Sequence, residues 1–446
     1  MRHAALALLM LLAGCESTPP QPAVKQPATQ PGTTQPNAAQ PRVVQPAEAA
    51  TYVALGALAA PTKPGPAKAP HPDAAHFKES AQIEVRWHRN VGDVGYAVDQ
   101  SANPIVHPGQ VRWRMRRDYG LMGNSILRPV LLNGALYAVN AKGKILRLDP
   151  DSGEQVWRVD TDVTITGGLG AGEGLILAGG EKGEVVAYGE DGKLRWKSVV
   201  SSEVLGPPQI ADGIVVVRSG DGRIAGLNAA DGKRKWLYEH ATPALVVRSS
   251  AGGTISHGTV FAGFAGGKLA ALDLATGNVK WEATLSEPRG TTELERISDI
   301  TSPPEVEDDT VCAVSFQGRI GCFGAAAGNL LWSHEFSSDK GLTLAGKVLY
   351  AVNANGELFA MDMTSGASIW KNSDLAQRET AAPQVLGDYL VAGDGDGYIY
   401  AFKREDGSLA ARRKTDGSAI LEPPLALNGG VLAQTYIGGL YFVTLH

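Results

Sequence analysis

The sequence predicts an all-β protein, an eight-bladed β-propeller built from four-stranded antiparallel blades. Three observations support this fold class. A motif of two glycines about ten positions apart, followed four positions later by a tryptophan, recurs with a period of about 40 residues. Each period contains short alternating apolar and polar runs that end at Gly or Asp-Gly, which is typical of antiparallel hairpins. Glycine makes up 54 of the 446 residues, as expected for a chain that turns so often.

Residues 1–14 have the pattern of a secretory signal peptide. A short positive start is followed by an apolar stretch that is too short to span a membrane as a helix. Small residues precede Cys15, and Ala-Gly-Cys resembles the bacterial lipoprotein box, in which the cysteine is acylated. This resemblance predicts lipidation at Cys15, and Glu16 after it favours the outer membrane over the inner one. The alternative is an ordinary secretory signal with an incidental cysteine.

Residues 15–78 are predicted to be a disordered tether that begins with the acylated cysteine. Pro, Gln, Ala and Thr dominate the segment, and 13 of the 26 prolines lie between Pro19 and Pro72. Such a composition cannot bury enough apolar surface to offset the entropy of ordering the chain. The small apolar patch at residues 52–55 is either a docking motif or incidental. The remaining residues, 79–446, are assigned to a single propeller domain.

Tryptophans mark the repeats within residues 79–446. One large ring in each blade is expected to seal the seam against the next blade. Prolines ahead of several units suit the first residue of an inner strand, where no backbone donor is needed. The seventh repeat has Ala411 where the others have tryptophan. The repeat tryptophans are Trp157, Trp196, Trp236, Trp281, Trp332 and Trp370.

The eighth unit is one strand short. It begins at Val431, and the chain stops at His446 before a last strand can form. Outside the repeats, the segment 82–87 has the alternation of a strand and ends in Trp87. We therefore expect this N-terminal strand to complete the eighth blade and close the ring, which also removes an open sheet edge.

The repeat Ala-x-Asp-x-x-Thr-Gly-x-x-x-Trp, complete at residues 271–281, resembles the pyrroloquinoline-quinone-like propeller repeat. Two groups carry this repeat: quinone-dependent dehydrogenases and the non-enzymatic BamB lipoproteins of the outer-membrane β-barrel assembly machine. Residues 289–304 are similar to the inter-blade segment of the BamB family at nearly every position. The resemblance therefore favours the BamB family, and it implies a protein without a catalytic site or a cofactor.

Two long Trp-to-Trp intervals, 45 and 51 residues against 38–40 elsewhere, place extra loops beside neighbouring blades. Insertions in repeats often mark the binding face. In the BamB family these loops bind BamA through a Leu-x-Leu-Arg stretch and an Asp-x-Asp pair. This chain has valine for the second leucine and Thr301 for the second aspartate, and a structural Arg248–Asp299 ion pair is the alternative to partner binding. The resemblance implies the following partner-binding residues: Leu245, Val247, Arg248, Arg296 and Asp299.

The same resemblance implies a scaffold lipoprotein, held by its lipid at the periplasmic face of the outer membrane. Its partners would be the periplasmic domains of a BamA-like subunit and nascent β-barrel proteins. Two alternatives from other classes stay open. One is a quinone-dependent periplasmic dehydrogenase, and the other is a periplasmic propeller that binds a small ligand or the cell wall.

Composition and spacing argue against a nucleic-acid partner and a metal site. The formal charge is −5, and the nine histidines lack ligand spacing. The Asp-Gly-Asp-Gly run at residues 394–397 lacks the later ligands of a calcium loop and favours a hairpin turn. The basic cluster at residues 112–117 is either a contact for anionic lipid or an acidic partner, or a solvated loop. Cys312 and Cys322 are expected on the two strands of one hairpin, as a disulfide or as buried thiols.

Overall fold

The computed structural model describes residues 51–53, 79–92, 127–243, 245–247, 249 and 251–446, with residues 51–53 described by their backbone alone. Several sequence predictions lie outside these ranges: the signal peptide, the lipidation of Cys15, the basic cluster at 112–117 and the partner-binding role of Arg248. In the described residues, no helix is long and apolar enough to cross a membrane.

Eight four-stranded antiparallel sheets make up most of the described chain, which confirms the predicted eight-bladed propeller. Two strands precede the first repeat, β1 (Thr51–Val53) and β2 (Ile83–Asn90). Blade 1 contains β3 (Val130–Leu132), β4 (Ala135–Val139), β5 (Lys144–Leu148) and β6 (Gln155–Asp160). Blade 2 contains β7 (Ile165–Gly172), β8 (Leu175–Gly180), β9 (Glu184–Gly189) and β10 (Leu194–Val199). Blade 3 contains β11 (Gln209–Ala211), β12 (Ile214–Arg218), β13 (Ile224–Asn228) and β14 (Arg234–Tyr238).

A separate short strand, β15 (Leu245–Val247), precedes blade 4 in the sequence. Blade 4 contains β16 (Gly253–Ser256), β17 (Thr259–Gly263), β18 (Lys268–Asp273) and β19 (Val279–Thr284), with a 3₁₀ turn at Ala265–Gly267. Blade 5 contains β20 (Glu305–Glu307), β21 (Thr310–Val314), β22 (Arg319–Gly324) and β23 (Leu330–Glu335). Blade 6 contains β24 (Leu342–Ala345), β25 (Val348–Val352), β26 (Leu358–Asp362) and β27 (Ser368–Asn372). Blade 7 contains β28 (Gln384–Leu386), β29 (Tyr389–Gly393), β30 (Tyr398–Lys403) and β31 (Leu409–Lys414). Blade 8 contains β32 (Leu425–Leu427), β33 (Gly430–Gln434), β34 (Gly439–Leu445) and β2.

The middle strands of each blade are covered on both faces. All five residues of β4 are buried, and all but the first of β21 are buried. Such strands are largely apolar, because neighbouring blades pack against both of their faces. The outer strands are different, since in β10 the buried Trp196 stands between exposed neighbours. The alternation in the sequence therefore marks the outer strands, and the tryptophan is their inward-facing residue.

Among the described residues, seven tryptophans join neighbouring blades in the same way, which confirms the predicted seam. Each indole N–H donates to a backbone carbonyl in the outer turn of the next blade, at 2.7 to 3.0 Å. The ring also covers the glycine of that turn, so a Cβ on Gly153 would come within 2.6 Å of the Trp87 ring. The donor and acceptor pairs are Trp87 with Pro150, Trp157 with Glu190, Trp196 with Ala229, Trp236 with Leu274, Trp281 with Ala325, Trp332 with Met363, and Trp370 with Arg404.

The missing tryptophan of blade 7 has a structural reason. Blade 8 has no outer hairpin turn, because its last two strands come from opposite ends of the chain: β34 ends at Leu445 and β2 begins at Ile83. An indole at Ala411 would therefore find no turn to cover. The N-terminal segment contacts blade 7 there instead, and the Ala410 carbonyl accepts hydrogen bonds from the Ser80 and Ala81 N–H groups at 3.0 and 3.3 Å.

Strand β2 closes the ring as predicted. It pairs antiparallel with β34, from Ile83 opposite Leu445 to Asn90 opposite Gly439. The outer edge of β34 is thereby covered, and Trp87 enters the seam between blades 8 and 1. Since β2 and β34 meet in one sheet, the ring cannot open without breaking this backbone ladder.

The glycine beneath each tryptophan leads to a first prediction. Gly232 has a φ of 70°, and a Cβ there would lie 2.5 Å from the Trp196 ring. Gly232→Ala should therefore lower the free energy of unfolding by about 3 kcal/mol or more, from backbone strain and overpacking together. Gly213 is the matched control, because its φ is 71° and nothing lies within 4 Å of its Cβ position. Gly213→Ala should cost only about 1–2 kcal/mol, and urea unfolding followed by circular dichroism would measure both. Equal losses would contradict the constraint we assign to the seam.

Cys312 and Cys322 form a disulfide inside blade 5. They stand directly opposite each other on β21 and β22, with their Cα atoms 4.1 Å apart. Both side chains are fully buried. The structure therefore chooses the disulfide from the two alternatives that the sequence left open.

Charged side chains next to the first strands of different blades lie close enough to interact. Arg128 Nε, ahead of blade 1, lies 3.9 Å from Glu422 Oε2, ahead of blade 8. The charge of Arg128 also acts on Glu305, the first residue of blade 5. Burial nevertheless raises the pKa of Glu305 to about 7, since the positive charge offsets only part of the desolvation.

The raised pKa of Glu305 predicts a pH dependence of stability. Between its ordinary pKa of 4.5 and about 7, the folded chain holds a proton that the unfolded chain releases. The free energy of unfolding should therefore fall as the pH rises through this window, by at most about 3 kcal/mol from this group. Glu305→Gln should remove that part of the loss between pH 5 and pH 8, whereas the exposed Glu293→Gln should not. Urea unfolding at the two pH values tests this, and an unchanged pH dependence in Glu305→Gln would contradict it.

Candidate partner-binding site

Two long connections between blades lie on either side of blade 4. The first, residues 239–252, follows β14 and contains β15, and the second, residues 285–304, follows β19. They contain the predicted partner-binding residues, so the structure brings both predicted loops to one blade. The turn between β17 and β18, at residues 264–267, lies between them.

Asp299 joins these three segments. Its Oδ2 accepts a hydrogen bond from the Val247 N–H at 2.7 Å, and its Oδ1 accepts one from the Gly266 N–H at 2.9 Å. The side chain is buried, with 4 % of its surface exposed. The carboxylate thus holds β15 against blade 4 from inside, instead of pointing into solvent.

Arg218 supplies the positive charge near Asp299. Its guanidinium donates from Nη1 to the Ala251 and Gly263 carbonyls, at 2.9 and 2.6 Å, and lies 5.1 Å from the centre of the Phe264 ring. Burial raises the pKa of Asp299, and the two backbone donors and Arg218 partly offset this. The sequence offered an ion pair between Arg248 and Asp299 as the alternative to partner binding. Arg248 lies outside the described residues, so that pairing stays a prediction.

A cleft beside β15 is lined in part by two aromatic rings, His240 and Phe264. His240 stacks on Phe264, with ring centres 4.4 Å apart and an angle of 18° between the planes. Burial lowers the pKa of His240, which favours its neutral form. Val246 and Val247 also line the cleft and are both buried. Arg218 and Asp299 line the cleft as well, and both hydrogen-bond to backbone groups of the chain itself.

The surface of the site comes from other residues. Leu245 is partly exposed, and Arg296 is exposed, with its Nε donating to the Gly290 carbonyl at 3.1 Å. Leu294 has 48 % of its surface exposed and can therefore supply apolar contact area. Thr301 is buried, so the position of the family's second aspartate is not presented at the surface. Leu294 was not among the residues predicted from the sequence, although it is the one large apolar side chain in the run 289–296.

Acidic side chains in the turn at residues 394–397 pair with a buried arginine. Among the described residues, no group of three or more His, Cys, Asp or Glu could hold a metal ion. The run at residues 394–397 forms the hairpin turn between β29 and β30, as predicted. Arg378 donates from Nε to Asp394 at 2.9 Å and from Nη2 to Asp396 at 2.8 Å. These carboxylates therefore already have a buried guanidinium as their partner.

Fold and site together define a class of protein: a propeller of pyrroloquinoline-quinone-like repeats whose distinguishing feature is a surface built from two long connections beside one blade. Within that class, the chain belongs to the BamB family. The family model described as outer membrane protein assembly factor BamB matches residues 141–372.

Individual relatives agree with this assignment. The outer membrane protein assembly factor BamB of Nitrosomonas eutropha is 46 % identical over 72 % of this chain and 79 % of its own length. That of Bordetella pertussis is 38 % identical over 71 % and 82 %. The crystal structure of BamB from Moraxella catarrhalis superposes with a TM-score of 0.67 at 26 % identity, covering 71 % of this chain and 96 % of that one. The quinohemoprotein alcohol dehydrogenase of Comamonas testosteroni, with a TM-score of 0.61 at 13 % identity, shares the fold. The superposition covers 81 % of this chain and 76 % of the dehydrogenase chain.

Proposed function

We propose that this chain is an outer membrane protein assembly factor, a non-enzymatic scaffold that binds a BamA-like subunit and aids the insertion of β-barrel proteins. The observation that carries the proposal is the buried Asp299 carboxylate, which locks β15 to the second long connection. A loop that internal hydrogen bonds already hold in place loses little conformational entropy when a partner binds it. The names of the relatives support the same function.

The direct contacts in this proposal come from the exposed residues of the site. Leu245 and Leu294 supply apolar area, and Arg296 supplies a charge at the rim. Val247 and Asp299 act as positioning residues, because both are buried in the chain by itself. Arg248 keeps its proposed contact role from the family resemblance.

The proposal places the protein at the periplasmic face of the outer membrane, anchored by an acylated Cys15. The tether of residues 15–78 would set how far the propeller, residues 79–446, can reach from the membrane. Nascent β-barrel proteins are proposed as further, transient partners.

Site-specific photo-crosslinking tests the proposed partner surface. A crosslinking amino acid at Leu245 or Leu294 should capture the BamA-like subunit in intact cells. Ile369 on the outer strand of blade 6 is the matched control, since 51 % of its surface is exposed and it lies outside both long connections. Capture from all three positions, or from none, would contradict the proposal. Loss of membrane association in Cys15→Ser would test the anchor separately.

A further inference from the structure

Strand β1 lies outside the eight blades and pairs with β15. The two strands are parallel, with Thr51 opposite Leu245, Tyr52 opposite Val246 and Val53 opposite Val247. These residues belong to the apolar patch that the sequence singled out within the Pro-rich segment. Thr, Tyr and Val all favour extended structure, and Tyr52 is the sole aromatic residue between Glu16 and Asp73.

The geometry of β15 leaves one edge for this pairing. The Val247 N–H is used by Asp299, so the side of β15 that faces the second connection is occupied. In an extended strand, successive residues direct their peptide groups to opposite sides. The peptide groups of Val246 therefore face the other edge, where β1 lies. An edge of this kind accepts an extended segment through main-chain hydrogen bonds, whatever that segment's sequence.

We propose that β1 is an internal competitor for this edge: residues 51–53 occupy the position at which the BamA-like subunit adds to β15, and they must leave before it binds. This inference rests on the proposed function. It assigns the edge of β15 to strand addition, and it assigns a regulatory role to the N-terminal segment.

The length of chain between the two strands suits a displaceable contact. Residues 54–82, which are 29 residues, connect β1 to the start of β2. A linker of this length gives an effective concentration on the order of millimolar, enough to populate a weak contact. The pairing covers only three residues, so it remains weak and reversible. If β1 occupies the edge for about 70–90 % of the time, it reduces the apparent affinity of the partner about three- to tenfold.

A proline substitution separates this competition from the partner binding itself. Val53→Pro removes a backbone donor from β1, and Val44→Pro is the matched control, since it makes the same change in the same Pro-rich segment outside β1. Two quantities are measured on the full lipoprotein in detergent: the affinity for the purified periplasmic domains of the BamA-like subunit, and the hydrogen exchange rate of the Val246 amide without that subunit.

We expect Val53→Pro to bind the periplasmic domains about three- to tenfold more tightly and to exchange the Val246 amide faster, while Val44→Pro matches the wild type. Faster exchange with unchanged or weaker binding would overturn the competition and leave the proposed function intact. Unchanged exchange would overturn the pairing itself. If the wild type and both variants all fail to bind, the proposed function fails together with the competition, and the exchange rate still reports on the pairing of β1 with β15.

Discussion

Trp87→Ala is expected to lower the free energy of unfolding by about 3–5 kcal/mol, the largest single loss we predict for this chain. Trp87 is buried, its ring centre lies 5.9 Å from that of Phe442, and its N–H donates to the Pro150 carbonyl. The substitution leaves a cavity over Gly153 and weakens the strand that joins blade 8 to blade 1. Because that strand closes the ring, its loss exposes the edge of β34 as well.

Urea unfolding of the purified propeller, followed by tryptophan fluorescence and circular dichroism, would measure this effect. The control is Arg86→Ala, the preceding residue on the same strand, whose exposed side chain pairs with the exposed Glu84. That variant should change the free energy of unfolding by less than about 0.5 kcal/mol. A loss below about 1 kcal/mol in Trp87→Ala would show that ring closure does not depend on this seam.

Asp299→Ala should weaken binding of the BamA-like subunit at least about tenfold, equivalent to about 1.4 kcal/mol. The substitution leaves the Val247 and Gly266 N–H groups without their acceptor and frees β15 from the second connection. A loosened β15 must be ordered again when the partner binds, which costs affinity. The fold should lose about 1–3 kcal/mol at the same time, because the buried Val247 N–H and the partly buried Gly266 N–H lose their acceptor.

Isothermal titration with the subunit's periplasmic domains would measure the binding. Asp406→Ala is a suitable control, since Asp406 is exposed in an outer turn of blade 7 and accepts the Ser408 N–H at 2.9 Å. It should leave the affinity unchanged. Asp299→Asn keeps an acceptor oxygen for one of the two donors and should therefore fall between Asp299→Ala and the wild type. Unchanged affinity in Asp299→Ala would remove Asp299 from the site.

The propeller could be predicted from the sequence in considerable detail. The tryptophan period, the four strands in each repeat and the completing strand around Trp87 are all present in the structure. These features depend on local rules, namely the turn preference of glycine and the inward position of a large aromatic residue, repeated once per blade. The missing tryptophan at Ala411 could also be read from the sequence. Its reason depends on where β2 and β34 meet in the structure.

Less of the candidate partner-binding site than of the fold could be predicted from the sequence. The interval lengths located both long connections, but they could not show that the Asp299 side chain is turned inward to Val247. Burial of a polar residue depends on which segments fold over it, and those segments lie up to 52 positions apart in the chain. Family resemblance therefore located the residues, and their division into contact and positioning roles came from exposure and hydrogen bonding.

The sequence by itself determined that this chain is a ring of eight repeats closed by its N-terminal strand, because each repeat buries its apolar faces by packing against its neighbours. Tertiary structure alone decided three things: that Cys312 and Cys322 are paired, that Asp299 supports the site from inside, and that β1 lies on β15. The first depends on the register of one hairpin, and the other two depend on contacts between segments far apart in the chain. Periodicity specifies the architecture, and the packing of the irregular connections specifies the site.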